Sequence, residues 1–500
     1  MALSELSRRE LLQAGAVALV GSGVLWREAS AQQARPRPAR IPKNIIFMVS
    51  DGMSMGVPSV AEPFSQMVRG KGTQWFRLLQ DPEAVTGLFE TRSLDSLVTD
   101  SSAASSAWGS GSRVFNGAVN VLPDGTKLTP IAQLMRQAGK RIGLVTTTTI
   151  THATPAGFAA SLPNRDDEHI IAEQYLGVVD VLMGGGRRFF DAQSRADKRD
   201  LIAEYQRKGY AFWERREQVR GRERPEKVLG LFYPGHLPFT VDHQNSPQLR
   251  EQVPTLAEMT RKALEILSSS PRGFLLQVEG GRVDHAAHAN DAAAILWDQL
   301  AFDDAVVVAL DFVRRNPDTL LVITSDHGNS NPGLNGMGEE YRDSEKCLER
   351  VTRAKGSYVA IQELLRREGT PTPDRVRDAI REVTGIEVSR EEAEVVASVA
   401  SGKPAPTLNR AHANLVGVLG EILSNYNGIA WIGTQHTGDW VLVTALGAGK
   451  EMFAGIQPHK EAFHRMLKLV GISFRNPEMS IEQARRYLAR APRVRPEHWV

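Results

Sequence analysis

The densest chemistry in the chain lies in Glu279-Gly280-Gly281-Arg282-Val283-Asp284-His285-Ala286-Ala287-His288. Asp284 and His288 are one helical turn apart, so their side chains share a face and can reach one cation. Asp326 and His327 are adjacent. A regular strand would point them oppositely, but Gly328 permits a turn that brings both to one ion. Taken alone, that pair reads equally well as a turn carboxylate beside a satisfied histidine. Asp51 and His436 add a carboxylate and an imidazole elsewhere. Counted together, Asp284, His288 and His436 form a set for one ion, and Asp51, Asp326 and His327 a set for a second. Each set leaves a coordination position open, as catalytic zinc sites do. Glu279 and the hydroxyl of Thr154 are oxygen ligands, which suit a hard ion such as magnesium. Two zinc ions held close together clamp the attacking and leaving oxygens of an in-line displacement. Cys347 is the sole cysteine, so imidazole and carboxylate must carry any transition metal.

A nucleophile for such a centre stands in Val98-Thr99-Asp100-Ser101-Ser102-Ala103-Ala104-Ser105-Ser106-Ala107-Trp108. The small side chains favour close approach of backbone to backbone or to a ligand. Asp100 or Ser101 can cap a helix here, whose positive dipole end then faces whatever the serine touches. In isolation the stretch reads better as a plain helix cap. Its company of carboxylates and histidines at strand ends argues for more. Ser102 directly follows Ser101, so register alone chooses between the two hydroxyls.

These residues need a scaffold that brings them to one edge. Asn44–Ser50 is a nearly unbroken apolar run ending in Asp51-Gly52, the pattern of a strand buried on both faces. Similar runs cover 141–146, 273–278, 319–325 and 440–444, and helical patterns lie between them, at Leu256–Leu267 and 292–312 among others. The alternation predicts an α/β fold, a large and mostly parallel doubly wound sheet with helices on both faces. Ligands of such sheets bind beyond the carboxyl ends of the strands, where Asp51, Glu279, Asp326 and His327 fall. Met183-Gly184-Gly185-Gly186 lacks a following Lys-Ser/Thr pair and is expected to be a tight turn after a strand over 178–182. Residues 187–230, rich in Arg and Glu, are expected to form a solvated surface layer. Residues 339–425 read as an inserted helical cap, with helices near 373–382 and 391–400, between catalytic segments 44–338 and 426–500.

These motifs, in this order, resemble the secreted bacterial alkaline phosphatases, from about Asn44 to His436. Asp100-Ser101 occupies the family's nucleophile motif, and Thr154-Pro155 and Asn164-Arg165 resemble its Thr-Pro and arginine segments. Glu279, Asp284, His288, Asp326, His327 and His436 match its metal-ligand segments. The resemblance implies two zinc ions and one magnesium, with hydrolysis of phosphate monoesters in two steps. Ser101, activated by the second zinc, would attack phosphorus and form a phosphoseryl intermediate. The first zinc would stabilise the departing alkoxide and then supply the hydroxide that releases phosphate, with net retention. Arg165 would grip two non-bridging oxygens, oriented by Asp100. His152 and His285 stand where some members carry Asp, and Lys or Trp, so zinc or cobalt competes with magnesium at the third position. A phosphodiesterase or another enzyme of the superfamily is the alternative; Arg165 argues for a monoester, whose second charged oxygen it can hold. A sulfatase would need Pro and Arg soon after Ser101, which are missing, and a phosphate- or metal-binding protein without turnover would not need Ser101.

Ser7-Arg8-Arg9-Glu10-Leu11-Leu12, a short apolar stretch and Ala29-Ser30-Ala31 read as a twin-arginine signal peptide over 1–31, followed by a leader over 32–43. The expected location is therefore periplasmic or extracellular. With a net charge of +2, no strong field points to nucleic acid or to a membrane surface after the signal is removed. The resemblance also implies a homodimer. His169, His236, His243, His412, His459, His464 and His498 are read as core or surface residues, with His412 and His459 expected nearest the site.

Overall fold

The computed structural model describes residues 41–367, 369 and 371–492. The expected signal peptide and most of the leader lie outside these residues. Strands β1 (Asn44–Ser50), β2 (Val85–Glu90), β3 (Arg141–Thr149), β4 (Val181–Gly185), β5 (Ala211–Trp213), β6 (Val228–Leu231), β7 (Phe274–Gly280), β8 (Thr319–Thr324), β9 (Gly328–Asn329), β10 (Gly333–Leu334), β11 (Ile429–Ala430), β12 (His436–Thr437), β13 (Val441–Gly447) and β14 (Gly455–Pro458) follow in chain order. Ten of them form one sheet, ordered β14-β2-β13-β8-β1-β7-β3-β4-β6-β5. β1 lies between β7 and β8 and runs parallel to both. Ile45, Phe47 and Val49 join one hydrophobic layer and Ile46 and Met48 the other, so the period-2 alternation of one strand feeds two cores.

Helices α1 (Gly56–Arg69), α2 (Ser101–Ser110), α3 (Ala153–Ala159), α4 (Leu256–Leu267), α5 (Arg282–His288), α6 (Ala292–Arg315), α7 (Tyr358–Arg367), α8 (Pro373–Thr384), α9 (Arg390–Ala400) and α10 (Leu415–Asn427) supply most of the covering layers. α1, α4 and α6 pack on one face, and α2 and α3 on the other. The expected mostly parallel sheet with helices on both faces is what the chain forms.

Several local expectations need correction. β13 runs antiparallel to both β8 and β2. That reversal matters, because residues preceding β13 then lie at the carboxyl edge of β8. Glu279 lies inside β7, paired with Val49 and Thr146, rather than beyond the strand. Met183 to Gly185 belong to β4 itself, and only Gly186, at φ 89°, makes the turn. Residues 187–230 are more than a surface layer: they contribute β5 and β6, which complete one sheet edge. Their apolar pattern is too short to stand out, at three and four residues per strand. In the 339–425 region, α7 to α10 share a hydrophobic cluster of their own around Ile361, Ile380, Val396 and Leu419.

Asp298 of α6 is buried and accepts hydrogen bonds from Thr240 N (3.0 Å) and Oγ1 (2.9 Å). Burial pushes its carboxyl up to about 7. The folded chain therefore holds a proton that the unfolded chain releases, so this stability is full in acid and lost as pH rises through about 7. Asp298→Asn keeps an acceptor for Thr240 and removes the titration. Its urea midpoint is expected to fall less than that of the wild type between about pH 5 and about pH 8. Equal falls would contradict this assignment.

Candidate active site

Asp100 caps α2 through Oδ1, which accepts from Ala103 N at 2.8 Å. The same carboxylate accepts from Ser102 Oγ (2.7 and 2.9 Å), Gly117 N (2.9 Å) and Arg165 Nη1 (3.1 Å). Ser102 is thus tied to its own cap. Ser101 faces the other way, with Oγ 3.2 Å from His327 Nε2. The run of small residues has a packing reason: a Cβ on Gly157 of α3 would sit 2.3 Å from Ser105 Oγ, so only small side chains let α2 and α3 meet this closely.

Three groups of potential metal ligands converge beside Ser101: Asp284, His288 and His436; Asp51, Asp326 and His327; and Asp51, His152 and Glu279. Within each group the ligand atoms lie within 4.8 Å of one another. The sheet explains how. Asp51 follows β1, Asp326 and His327 follow β8, and Asp284 and His288 share α5 immediately after β7. His436 arrives because β13 is antiparallel, and β12 pairs it with Asn329 of β9. Gly52 is required by a close approach. At φ 65° it adopts a left-handed conformation, and a Cβ there would meet Asp284 Oδ1 at 2.3 Å.

The histidines are aimed by their outer nitrogens. His288 Nδ1 lies 2.8 Å from Thr434 O, His436 Nδ1 2.9 Å from Thr99 O, and His327 Nδ1 3.2 Å from Gly328 O. A carbonyl only accepts, so each Nδ1 carries the proton and each Nε2 presents a lone pair inward. His288 Nε2 and His436 Nε2 face each other at 3.0 Å. Two inward lone pairs at that distance fit a shared cation.

The carboxylates point the same way. Burial raises the Asp51 carboxyl well above its ordinary value, and the charges of Asp326, Asp284 and Glu279 raise it further. Burial likewise takes Glu279 up to about 7. Asp51 Oδ1, Glu279 Oε1 and Asp326 Oδ2 are buried with no hydrogen-bond partner. Buried acceptors without donors, set among like charges, fit cations.

Glu279 Oε2 accepts from Thr146 Oγ1 at 2.5 Å and Thr148 Oγ1 at 3.3 Å, leaving Oε1 toward His152 Nδ1 at 4.0 Å. Thr154 Oγ1 donates to Asp51 Oδ2 at 3.2 Å. His152 Nε2 lies 2.9 Å from Arg165 Nη2, and burial, then Arg165, depress the imidazole to about 3. The ring of His285 is 5.6 Å from that of His152, and the His236 ring is 4.5 Å from His285.

A chain that brings Ser, Arg and three Asp/His/Glu groups to the carboxyl edge of such a sheet invites comparison with known proteins. The alkaline phosphatase family profile matches residues 42–472. The chain belongs to the alkaline phosphatase family. It is 28% identical over 484 residues to alkaline phosphatase 4 of Bacillus subtilis, covering 94% of this chain and 98% of that protein. The crystal structure of Thermus thermophilus alkaline phosphatase superposes with a TM-score of 0.85 at 36% identity, covering 90% of this chain and 96% of that one. A cold-active alkaline phosphatase from a Shewanella species gives 0.70 at 27% identity, covering 85% of this chain and 99% of that one.

Within this alkaline phosphatase family member, all of the residues singled out in the sequence lie in or against one buried cluster. Others were overlooked. Glu168 accepts from Thr149 Oγ1 (2.5 Å) and Thr151 Oγ1 (2.6 Å) and so fixes the turn that presents His152. Asn329 Nδ2 donates to Asp284 Oδ1 at 2.7 Å. Both act through long-range contacts that no local spacing announces. His236, set aside as core or surface, lies beside His285. His412 is buried against Glu421, and His459 is buried behind Trp108.

Proposed function

We propose that the chain is an exported, metal-dependent phosphomonoesterase that uses Ser101 as its nucleophile. The observation that carries this reading is the division of labour at α2. Ser102 is bound to Asp100, whereas Ser101 Oγ points at the metal-ligand cluster, 3.2 Å from His327 Nε2. Asp284, His288 and His436 would hold one zinc, and Asp51, Asp326 and His327 a second. Asp51, Glu279 and Thr154 would hold a magnesium, with the nearby imidazoles of His152 and His285 favouring zinc or cobalt there. When bound, these ions supply Lewis acidity, lower the pKa of an adjacent hydroxyl and neutralise charge on the phosphoryl oxygens.

The side chains do the rest. Ser101 Oγ attacks phosphorus in line, the ester oxygen departs, and water then cleaves the phosphoseryl bond. The N-terminus of α2 directs backbone dipoles at the incoming oxygens. Arg165 grips two non-bridging oxygens, held in place by Asp100 on one side and His152 on the other. A monoester dianion offers that grip two charged oxygens; a diester offers fewer. Arg165→Ala is therefore expected to lower kcat/KM for p-nitrophenyl phosphate by about 10²–10³-fold, and Arg165→Lys by less, since lysine keeps charge but not the fork. Equal turnover in Arg165→Ala would remove the arginine from the reading.

Ser7 to Leu12 and Ala29 to Ala31 support export by the twin-arginine route to the periplasm or beyond. Among the described residues no helix is long and apolar enough to cross a membrane. The family resemblance supports a homodimer, which sedimentation of the mature protein would test.

A further inference from the structure

Beneath the inserted helices lies a cavity of about 560 Å³ lined by, among others, Arg282, His236, Phe239, Val359 and Leu364. We propose that it binds a small organic anion, with a carboxylate or phosphate on Arg282 and an apolar body against Phe239 and Leu364. Arg282 is 7% exposed, and its guanidinium stacks on the Phe239 ring at 3.7 Å. One edge, Nη1, is used by His285 Nδ1. Its Nε is buried without a hydrogen-bond partner. Among the described residues no carboxylate forms an ion pair with it, and nearby acids are engaged elsewhere. Asp242 accepts from Ser357 N and Oγ, both at 2.7 Å, and Asp298 from Thr240.

Arg282 Nε is closed off and Nη1 is used, which leaves Nη2, outside any hydrogen bond among the described residues, as the donor with which a largely buried guanidinium lining a cavity can hold an anion. The volume falls in the range of about 300–1,000 Å³ typical of small-molecule pockets, and the apolar walls ask for more than an inorganic ion. Elsewhere on the lining, Arg367 is paired with Glu363 at 3.5 Å, and exposed Lys355 stands with the carboxylates of Asp242 and Glu382. The same guanidinium touches His285, which packs on His152, which in turn contacts Arg165. A ligand on Arg282 and phosphate at the catalytic centre are therefore expected to influence each other reciprocally.

The anion has two possible sources: the second anionic group of a bifunctional substrate, or a free carboxylate or phosphate acting as effector. The probe is 4-nitrobenzoate, titrated calorimetrically into the metal-loaded mature enzyme, with Val359→Phe and Ala360→Phe filling the cavity from α7. One equivalent is expected to bind the wild type, at least tenfold more weakly to both variants, and neutral 4-nitrobenzamide at least tenfold more weakly to the wild type. Thermal melting and p-nitrophenyl phosphate turnover confirm that each variant is folded. If the variants lose kcat/KM for 4-carboxyphenyl phosphate but not for p-nitrophenyl phosphate, the anion is the substrate's own. If 4-nitrobenzoate instead shifts KM for p-nitrophenyl phosphate in the wild type and not in the variants, it is an effector. No saturable binding, equal binding of the amide, or unchanged affinity in both variants would overturn the proposal. Turnover of p-nitrophenyl phosphate is read separately, so failure of the phosphatase reading leaves the calorimetric result standing.

Discussion

Ser101→Ala is expected to lower kcat/KM for p-nitrophenyl phosphate by about 10³-fold or more, while Ser102→Ala retains activity within about tenfold of wild type. The asymmetry follows from the partners of two adjacent hydroxyls. Ser102 Oγ spends its proton on Asp100 and faces away from the histidine cluster. Its loss removes one of several contacts on a carboxylate that still holds Ala103 N, Gly117 N and Arg165. Ser101 Oγ has no such tie and stands against His327. Its replacement takes away the atom that would carry the phosphoryl group, and positioning and electrostatic stabilisation are all that remain. The reverse pattern, with Ser102→Ala inactive and Ser101→Ala active, would reassign the nucleophile.

Metal removal is expected to have the second large effect, on stability as well as activity. Four carboxylates, Asp51, Glu279, Asp284 and Asp326, are essentially buried in one cluster, and three of them leave an oxygen without a donor. Stripping the ions exposes their mutual repulsion. At free metal about a thousandfold above Kd, each site contributes about 4 kcal/mol of apparent stability. The chelated protein should therefore melt well below the zinc-loaded form and recover on adding zinc. Asp51 faces two of the three groups, so Asp51→Asn should behave oppositely in the two states. It should abolish turnover in the loaded enzyme, yet raise the melting temperature of the stripped protein, because a carboxyl penalised by burial and by its acidic neighbours is gone. A stripped protein that melts with the loaded one, or an Asp51→Asn variant that destabilises the stripped form, would contradict the electrostatic account.

Much of this site is legible in the sequence, because its ligands sit at the ends of strongly apolar strands. Asn44–Ser50 and Thr319–Thr324 mark themselves by composition, and the residues after them can only lie at the carboxyl edge of a parallel sheet. The Asp284/His288 pair is visible because helical spacing is local. What stays hidden is whatever tertiary pairing alone decides. His436 reaches the site because β13 reverses direction, and nothing in Trp440 to Thr444 encodes direction. β5 and β6 are too short for a period to show, and they gain their place by pairing at the sheet edge. Glu168 and Asn329 have ordinary neighbours in the chain; their importance lies in Thr149, Thr151 and Asp284, which folding brings to them. The fate of His236 has the same cause, since its nearest histidine partners are distant in sequence.

The central claim, a metal centre built for monoesters around Ser101 and Arg165, is tested most directly by one comparison. The mature protein, stripped and then reloaded with zinc and magnesium, is assayed side by side on p-nitrophenyl phosphate and on its bis-ester. The account predicts metal-dependent turnover with the monoester strongly preferred. Dominant turnover of the diester, or hydrolysis of either ester that survives complete metal removal, would contradict it.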